Sequence, residues 1–294
     1  MHYLLLVLIA LIWGSQYVFN VVVLESFTPF GLMTWRIIFG FITLSIFILL
    51  IPKERQHNFK LTPKLLGLFI LIGAVEAAIP FFLIAYGQLY VNSSITAIVM
   101  GLIPMMTIVM ERMSAQRKRI QPKEIIGLSM AFLGLVVLVN PSSNTLDATL
   151  LGLLAITLAA LCFALALILM EKIPREISAL RATRFILFLY AVPLAALWFY
   201  FNIESIPTDK DAWGSLIILG LFASGIVYLL YLSLIRLAGA GFTALSNFLV
   251  PLVGTILGVY FYHEPLNFNV LLALILIVTG LFLTRSTKIK TKKF

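Results

Sequence analysis

Ten apolar runs follow one another along the 294 residues, separated only by short polar breaks. A membrane-crossing helix needs roughly 20 mostly apolar residues. Against that template the chain divides into segments near 3–23, 30–51, 65–87, 94–112, 123–140, 149–171, 182–201, 213–235, 242–262 and 268–285. The pattern predicts an all-α polytopic membrane protein with ten spans and no room between them for a soluble domain. The first run begins almost at Met1 and has no basic stretch before it. It is long enough to span, so it is expected to be retained as a helix rather than cleaved as a signal.

The charged positions orient these spans. Lys53, Arg55, Lys60 and Lys64 follow the second segment, and Arg112, Arg117, Lys118, Arg119 and Lys123 follow the fourth. Lys172, Arg175, Arg181 and Arg184 follow the sixth, Arg236 the eighth, and Arg285, Lys288, Lys290, Lys292 and Lys293 the tenth. The opposite connections hold Glu25, Asp147, Glu204, Asp209, Asp211 and Glu264, with Lys210 their lone basic residue. Basic loops stay on the cytoplasmic side, so both termini are expected there, and an even span count agrees.

The sequence also repeats. Thr96-Ala97 is followed by Leu102-Ile103-Pro104, and 147 residues later Thr243-Ala244 is followed by Leu249-Val250-Pro251. Gly134-Leu135 matches Gly280-Leu281 with a one-residue slip. Five spans per half is an odd number, so the second half enters from the opposite side and the repeat is inverted. The expected organisation is one repeat over 1–141, a second over 149–285 and a basic cytoplasmic tail at 286–294. Inverted repeats of this kind place a substrate site near the membrane midplane between the halves.

Composition narrows the function. Hydrophobic residues make up 62% of the chain and charged residues only 11%, with a mean hydropathy of +1.08. A soluble domain carries about 25% charge, so lipid is the solvent that fits. The formal charge of +9 sits in short clusters between apolar runs, which argues against nucleic acid as a partner. One cysteine, Cys162, excludes an intramolecular disulfide. No GxxxxGK[ST] loop and no HExxH occurs, and His2, His57 and His263 fall at ends or loops. These absences disfavour ATP hydrolysis and intramembrane enzymology, and no cofactor or metal site is expected.

Polar residues inside the apolar runs mark the candidate site. Glu76 stands near the middle of the third segment, and intramembrane acids face cavities or partners. Pro80 lacks the N–H that would serve the carbonyl four residues back, which is that of Glu76 itself. Glu76 is therefore the candidate for substrate contact and for proton coupling, with a hydrogen-bonded structural acid as the alternative. Trp13, Gln16, Tyr17 and Asn20 form one stripe of the first segment, able to stack on and orient a solute or simply to bond neighbouring helices. In the eighth segment Ser224, Tyr228 and Tyr231 share a face, where packing competes with binding. Asn247 adds an amide in the ninth. Pro104 and Pro251, freeing the carbonyls of Met100 and Asn247, are expected kinks in repeat-related positions. Arg36, six residues into the second segment, is read as snorkelling to the outer headgroups, or else pairing with Glu25 or Glu76. Glu264 is expected to cap the tenth segment or pair with a cation.

Taken as an ordered set, Trp13-Gly14, Arg36, Pro104, Pro251 and Glu264 thirteen residues after Pro251 resemble the EamA-type members of the drug/metabolite transporter superfamily. The likeness covers nearly the whole chain. It implies a secondary transporter of amino acids, nucleosides, drugs or other small metabolites, often outward, across a bacterial cytoplasmic membrane. It further implies alternating access around a cavity lined by segments 1, 3, 4, 6, 8 and 9. An uncoupled facilitator of the same fold is the alternative, and a homodimer is permitted by the glycine-bearing outer helices. The first half departs from the pattern, since Arg117 stands where the glutamate would fall.

Overall fold

A computed structural model describes residues 2–55, 59–113, 122–139, 146–201, 203, 206–243 and 246–284. Every long element among the described residues is helical. We label them α1 (His2–Leu24), α2 (Pro29–Leu50), α3 (Pro63–Gly87), α4 (Ser93–Met100 continued by Ile103–Met113), α5 (Pro122–Val139), α6 (Leu146–Met170), α7 (Ala179–Phe201), α8 (Lys210–Ala238), α9 (Ser246–Tyr262) and α10 (Phe268–Thr284). Seven of the described helices are long and apolar enough to cross a membrane, and α5, α9 and α10 contribute shorter apolar stretches. The chain is a multi-pass membrane protein. Lys118, Arg117, Arg119, His57, Glu204, Ala244 and the tail from Arg285 lie outside the described residues, as do the side chains of Arg112 and Asp147.

Helix starts are written in local sequence. Thr28 accepts the Gly31 N–H at 3.1 Å ahead of Pro29, and Thr62 accepts the Leu65 N–H at 3.2 Å ahead of Pro63. Each threonine satisfies an otherwise orphaned donor, and each proline fills the first turn, where its missing N–H costs nothing. Asn92 caps α4 through the Ile95 N–H at 3.1 Å, and Asp209 caps α8 through the N–H groups of Asp211 and Ala212. Gly239, with φ at +84°, ends α8 in a conformation that side chains resist.

Two helices are locally widened. A π-helical turn at Ala74–Ala78 interrupts α3 immediately before Pro80, and a longer one at Leu219–Ile226 interrupts α8. Such turns displace carbonyls from the regular ladder and recur at functional sites. The prolines of the repeat behave differently from one another. The chain breaks at Gly101-Leu102, and Pro104 sits in the first turn of the helix that follows, so it is not a kink within a helix. Pro251 lies inside the continuous α9.

The helices pack about a centre formed by α1, α2, α3, α6, α8 and α9. Around this centre α1 packs on α9, α2 on α8 and α7, α4 on α9, and α3 on α6. Glycines permit them: a Cβ on Gly14 would stand 2.5 Å from Val253, and one on Gly220 2.2 Å from the Cβ of Phe39. Helices α5 and α10 pair extensively with each other, Gly134 lying against Ile277 and the Ala273 carbonyl. Exposed Leu, Ile and Phe side chains cover the outer faces of nearly every helix, as a lipid-facing exterior requires.

Candidate functional site

The π-turn of α3 carries Glu76 into the centre, where the residue is 2% exposed. Both carboxylate oxygens lack a hydrogen-bond partner. Its main-chain carbonyl, deprived of the Pro80 N–H, accepts the hydroxyl of Tyr228 at 2.7 Å. The expected coincidence of an acid and a freed carbonyl is therefore present, and a side chain from α8 occupies the carbonyl.

Arg36 does not snorkel, and this corrects the sequence reading. It is fully buried, its bonds running inward to the π-turn of α8 and to α1. Nε donates to Ser224 at 2.7 Å, and Nη2 donates to Gln16 at 2.5 Å and to the Ala223 carbonyl at 3.0 Å. The guanidinium lies 3.8 Å from the centroid of the Phe81 ring, and its Nη1 is unpartnered. A widened turn that releases the Ala223 carbonyl, an amide and an aromatic face give a buried cation what water would otherwise supply. Among the described residues no carboxylate completes the set: the bonds of Arg36 do not go to Glu25 or Glu76.

Between these two groups stands an aromatic enclosure. Trp13 meets Tyr231 at 4.5 Å and Tyr228 at 6.0 Å between ring centroids, both edge-on. Phe81 stacks near Tyr228 at 6.3 Å, and Phe163 of α6 completes the ring against Trp13 and Phe81. Tyr228 lies within electrostatic reach of both Glu76 and Arg36. All five rings are buried, so the enclosure is closed as it stands.

Of the residues expected to share a site, Trp13, Gln16, Glu76, Tyr228 and Tyr231 are brought together. Asn247 is buried beside Tyr231. Tyr17 is buried as well: one edge of its ring lies near Gly254 of α9, and its side chain reaches Gln16 and Arg36. Asn20 belongs to a separate contact, donating to Gln88 at 2.7 Å, while Gln88 donates to the Tyr17 carbonyl at 2.9 Å. Sequence reading passed over Gln88, Phe81 and Phe163; of these Gln88 left a signal, as a polar residue closing an apolar run. Pro80 completes the α3 device, whereas Pro104 and Pro251 lie outside the cluster.

Glu264 also departs from expectation. Its carboxylate caps α4 rather than α10, accepting the Ser93 N–H at 2.9 Å, the Ser93 hydroxyl at 2.5 Å, the Ser94 N–H at 2.9 Å and the Ser94 hydroxyl. His263, with φ at +50°, turns the chain back so that Glu264 reaches that helix start. Gly258 leaves room for it, because a Cβ there would meet Glu264 at 2.5 Å. Other contacts join the two sequence halves at helix ends. Ser26 donates to Asp209 at 2.9 Å, and Glu54 accepts Ser178 at 2.7 Å and Arg181 at 3.1 Å.

Comparison with known proteins fits this arrangement. The pattern of the EamA-like transporter family matches residues 1–140 and again 150–286. PagO of Salmonella typhimurium is 24% identical over 96% of this chain and 91% of its own length. Two Bacillus subtilis proteins named as transporters are also similar. YoaV is 23% identical over 95% of this chain and 94% of its own, and YyaM 25% identical over 99% and 95%. One solved crystal structure superposes with a TM-score of 0.67 over 96% of this chain and 97% of that one, at 17% identity, a likeness of fold. The protein is thus a membrane transporter, and the chain belongs to the EamA-like transporter family of the drug/metabolite transporter superfamily.

Proposed function

We propose that this protein is a secondary transporter of a small amphipathic zwitterion, working by alternating access around the Trp13–Phe81–Tyr228–Tyr231 enclosure. The observation that carries the reading is a pair of incomplete charges. Glu76 has two unpartnered carboxylate oxygens, and Arg36 has an unpartnered Nη1, on either side of one aromatic cluster. A buried charge without a partner is costly, and in a membrane such residues mark substrate or ion pathways. A substrate carboxylate would complete Arg36, a substrate ammonium would complete Glu76, and the rings would hold the apolar part. Glu76 needs a cation or a proton at that depth, so substrate and proton would occupy it in turn. That exclusivity is the simplest route to coupling.

The moving parts in this reading are two inverted five-helix halves in a ten-span protein of the bacterial cytoplasmic membrane, both termini inside. Support comes from the family pattern matching twice along the chain and from the loop charges. The Glu264–Ser93/Ser94 and Ser26–Asp209 contacts would fasten the outer side and the Glu54–Ser178/Arg181 contact the inner side. Each joins one half to the other, so opening either side would release only its own set. Outward net movement is the direction the family likeness suggests.

The test is a solute screen on protein reconstituted into liposomes, comparing zwitterions with their amine-only and acid-only analogues. Saturable flux favouring the zwitterion is expected. Equal flux of all three analogues would remove the paired-charge reading, and no saturable flux of any solute would remove the reading as a carrier of small solutes.

A further inference from the structure

At the end of the molecule that carries the basic connections, α2 and α7 hold an arginine without a counter-charge. Arg184 is the sixth residue of α7, and Ser45 the sixth from the end of α2. At about 1.5 Å per residue, both stand about 7 Å inside their helix ends. Arg184 Nε donates to the Ser45 hydroxyl at 2.9 Å, and the guanidinium carbon lies 5.3 Å from the centroid of the Phe41 ring. These two contacts hold the head group beside α2. An arginine that merely snorkelled would extend to water instead.

Among the described residues no carboxylate pairs with Arg184, and its Nη1 and Nη2 make no hydrogen bond. Glu54, the acid of this region, is taken by Arg181 at 3.1 Å and by Ser178 at 2.7 Å. More positive charge stands nearby. The ring of Phe59 lies 5.6 Å from that of Phe185, which brings the exposed Lys60 alongside α7. The exposed Lys64 occupies the first turn of α3, which packs on α7. Around Arg184 the outer surface is apolar. Phe188, its ring 5.6 Å from that of Phe41, is 39% exposed, and Ile42 is 43% exposed. On two spanning helices such residues face hydrocarbon.

The unbonded Nη1 and Nη2 form one edge of the guanidinium fork, whose geometry matches two oxygens of a phosphate or carboxylate. At this depth, at the margin of the hydrocarbon, the bilayer supplies the phosphates of its own lipids. Lys60 and Lys64 favour a head group of net negative charge, because the ammonium of a zwitterionic one would meet like charge.

We propose that Arg184, flanked by Lys60 and Lys64, binds the phosphate of an anionic phospholipid whose acyl chain lies along Phe188 and Ile42. The inference stands apart from the transport reading, and its test reads binding rather than flux. Purified protein in phosphatidylcholine nanodiscs is titrated with phosphatidylglycerol bearing a diazirine in its acyl chain, and labelled peptides are mapped by mass spectrometry. Labelling is expected to saturate and to concentrate in Phe41–Leu49 and Arg184–Phe188. The phosphatidylcholine probe with the same chains should need about fivefold more for half-saturation, the effect of about one basic residue near the surface. Arg184→Gln should raise the phosphatidylglycerol half-saturation about tenfold, the effect of losing bonds to a charged group. Arg184→Lys, which keeps the charge but not the fork, should fall between Gln and the parent. Replacing the exposed Lys60 and Lys64 together by Gln should keep the labelled peptides and erase the preference over phosphatidylcholine. Labelling spread evenly over all spans, or undiminished in Arg184→Gln, would overturn the site. Equal half-saturation of the parent by the two probes would overturn the choice of an anionic head. Displacement of the label by a large excess of inorganic phosphate would replace the lipid with a soluble anion.

Discussion

The hydroxyl of Tyr228 on α8 donates to the main-chain carbonyl of Glu76 on α3 at 2.7 Å, deep in the protein. That carbonyl is available because Pro80, four residues on, has no N–H, and because the π-turn at Ala74–Ala78 shifts the ladder around it. One bond thus ties the backbone beneath the candidate acid to the helix that also holds Arg36 through Ser224 and Ala223. A movement of α8 relative to α3 would be felt at both charged groups.

This link predicts a non-additive pair of substitutions. Tyr228→Phe leaves the Glu76 carbonyl without that donor and should cost about 1 kcal/mol of stability. Pro80→Ala restores a main-chain donor to the same carbonyl. In that background Tyr228→Phe should cost measurably less, with a coupling of at least about 0.5 kcal/mol. Thermal unfolding of the four proteins in detergent measures it; strict additivity would mean the two residues do not share the carbonyl.

Glu264 should behave as a charged cap whose partners are all donors. Glu264→Gln keeps the shape but turns an N–H₂ group toward the Ser93 and Ser94 N–H groups. A loss of about 2 kcal/mol is expected, comparable with Glu264→Ala, since bonds to charged groups are worth about 1.5–3 kcal/mol. If Gln were as stable as Glu by thermal unfolding, the clasp would owe nothing to its charge.

Two glycines make a matched test of helix packing. A Cβ on Gly254 would stand 2.3 Å from the Cβ of Ala97 and 3.3 Å from the Gly14 carbonyl, where nothing flexible can give way. Gly254→Ala should therefore lose about 1–3 kcal/mol through overpacking of α9 against α4 and α1. Nothing lies within 4 Å of a Cβ on Gly67. Gly67→Ala should be neutral or gain up to about 1 kcal/mol from helix propensity. Melting temperatures moving together would refute the distinction.

Asp209 carries a pH prediction outside the membrane. The Asp211 N–H, the Ser26 hydroxyl and the Ala212 N–H hold its carboxyl below the ordinary value of 3.8. A depressed carboxyl contributes stability that is fully present above its unfolded value and is lost as pH falls through the folded one. Asp209→Asn should thus melt below the parent at neutral pH, with the gap closing only below 3.8. A gap independent of pH across that window would assign the contribution to hydrogen bonding without charge.

What the sequence made readable follows from the physics of each feature. Hydropathy marked the helices because apolar length is a property of one segment. Glu76 and Pro80 were found because an acid and a proline in hydrocarbon are both local anomalies. The stripe of Trp13, Gln16, Tyr17 and Asn20 was correctly seen as facing protein, since all four are buried. Its division was hidden, because the partner that draws Asn20 aside, Gln88, lies on another helix. Arg36 was misread for the same reason. Depth in one helix suggested an escape to the headgroups, whereas Gln16, Ser224, the Ala223 carbonyl and Phe81 satisfy it from three other helices. The π-turns leave no periodic signature in so apolar a background, and with them went the geometry that joins Arg36 to α8.

The most direct test of the central claim is gradient-driven accumulation of the screened solute in proteoliposomes, comparing the parent with Glu76→Gln at several imposed pH differences. If Glu76 alternates between proton and substrate, the parent accumulates solute above equilibrium, and Glu76→Gln only equilibrates it, whatever the gradient. If Glu76→Gln accumulates as well as the parent at every pH, Glu76 is not the coupling group. If the parent itself ignores the gradient, the protein is a facilitator and the proton-coupled account is wrong.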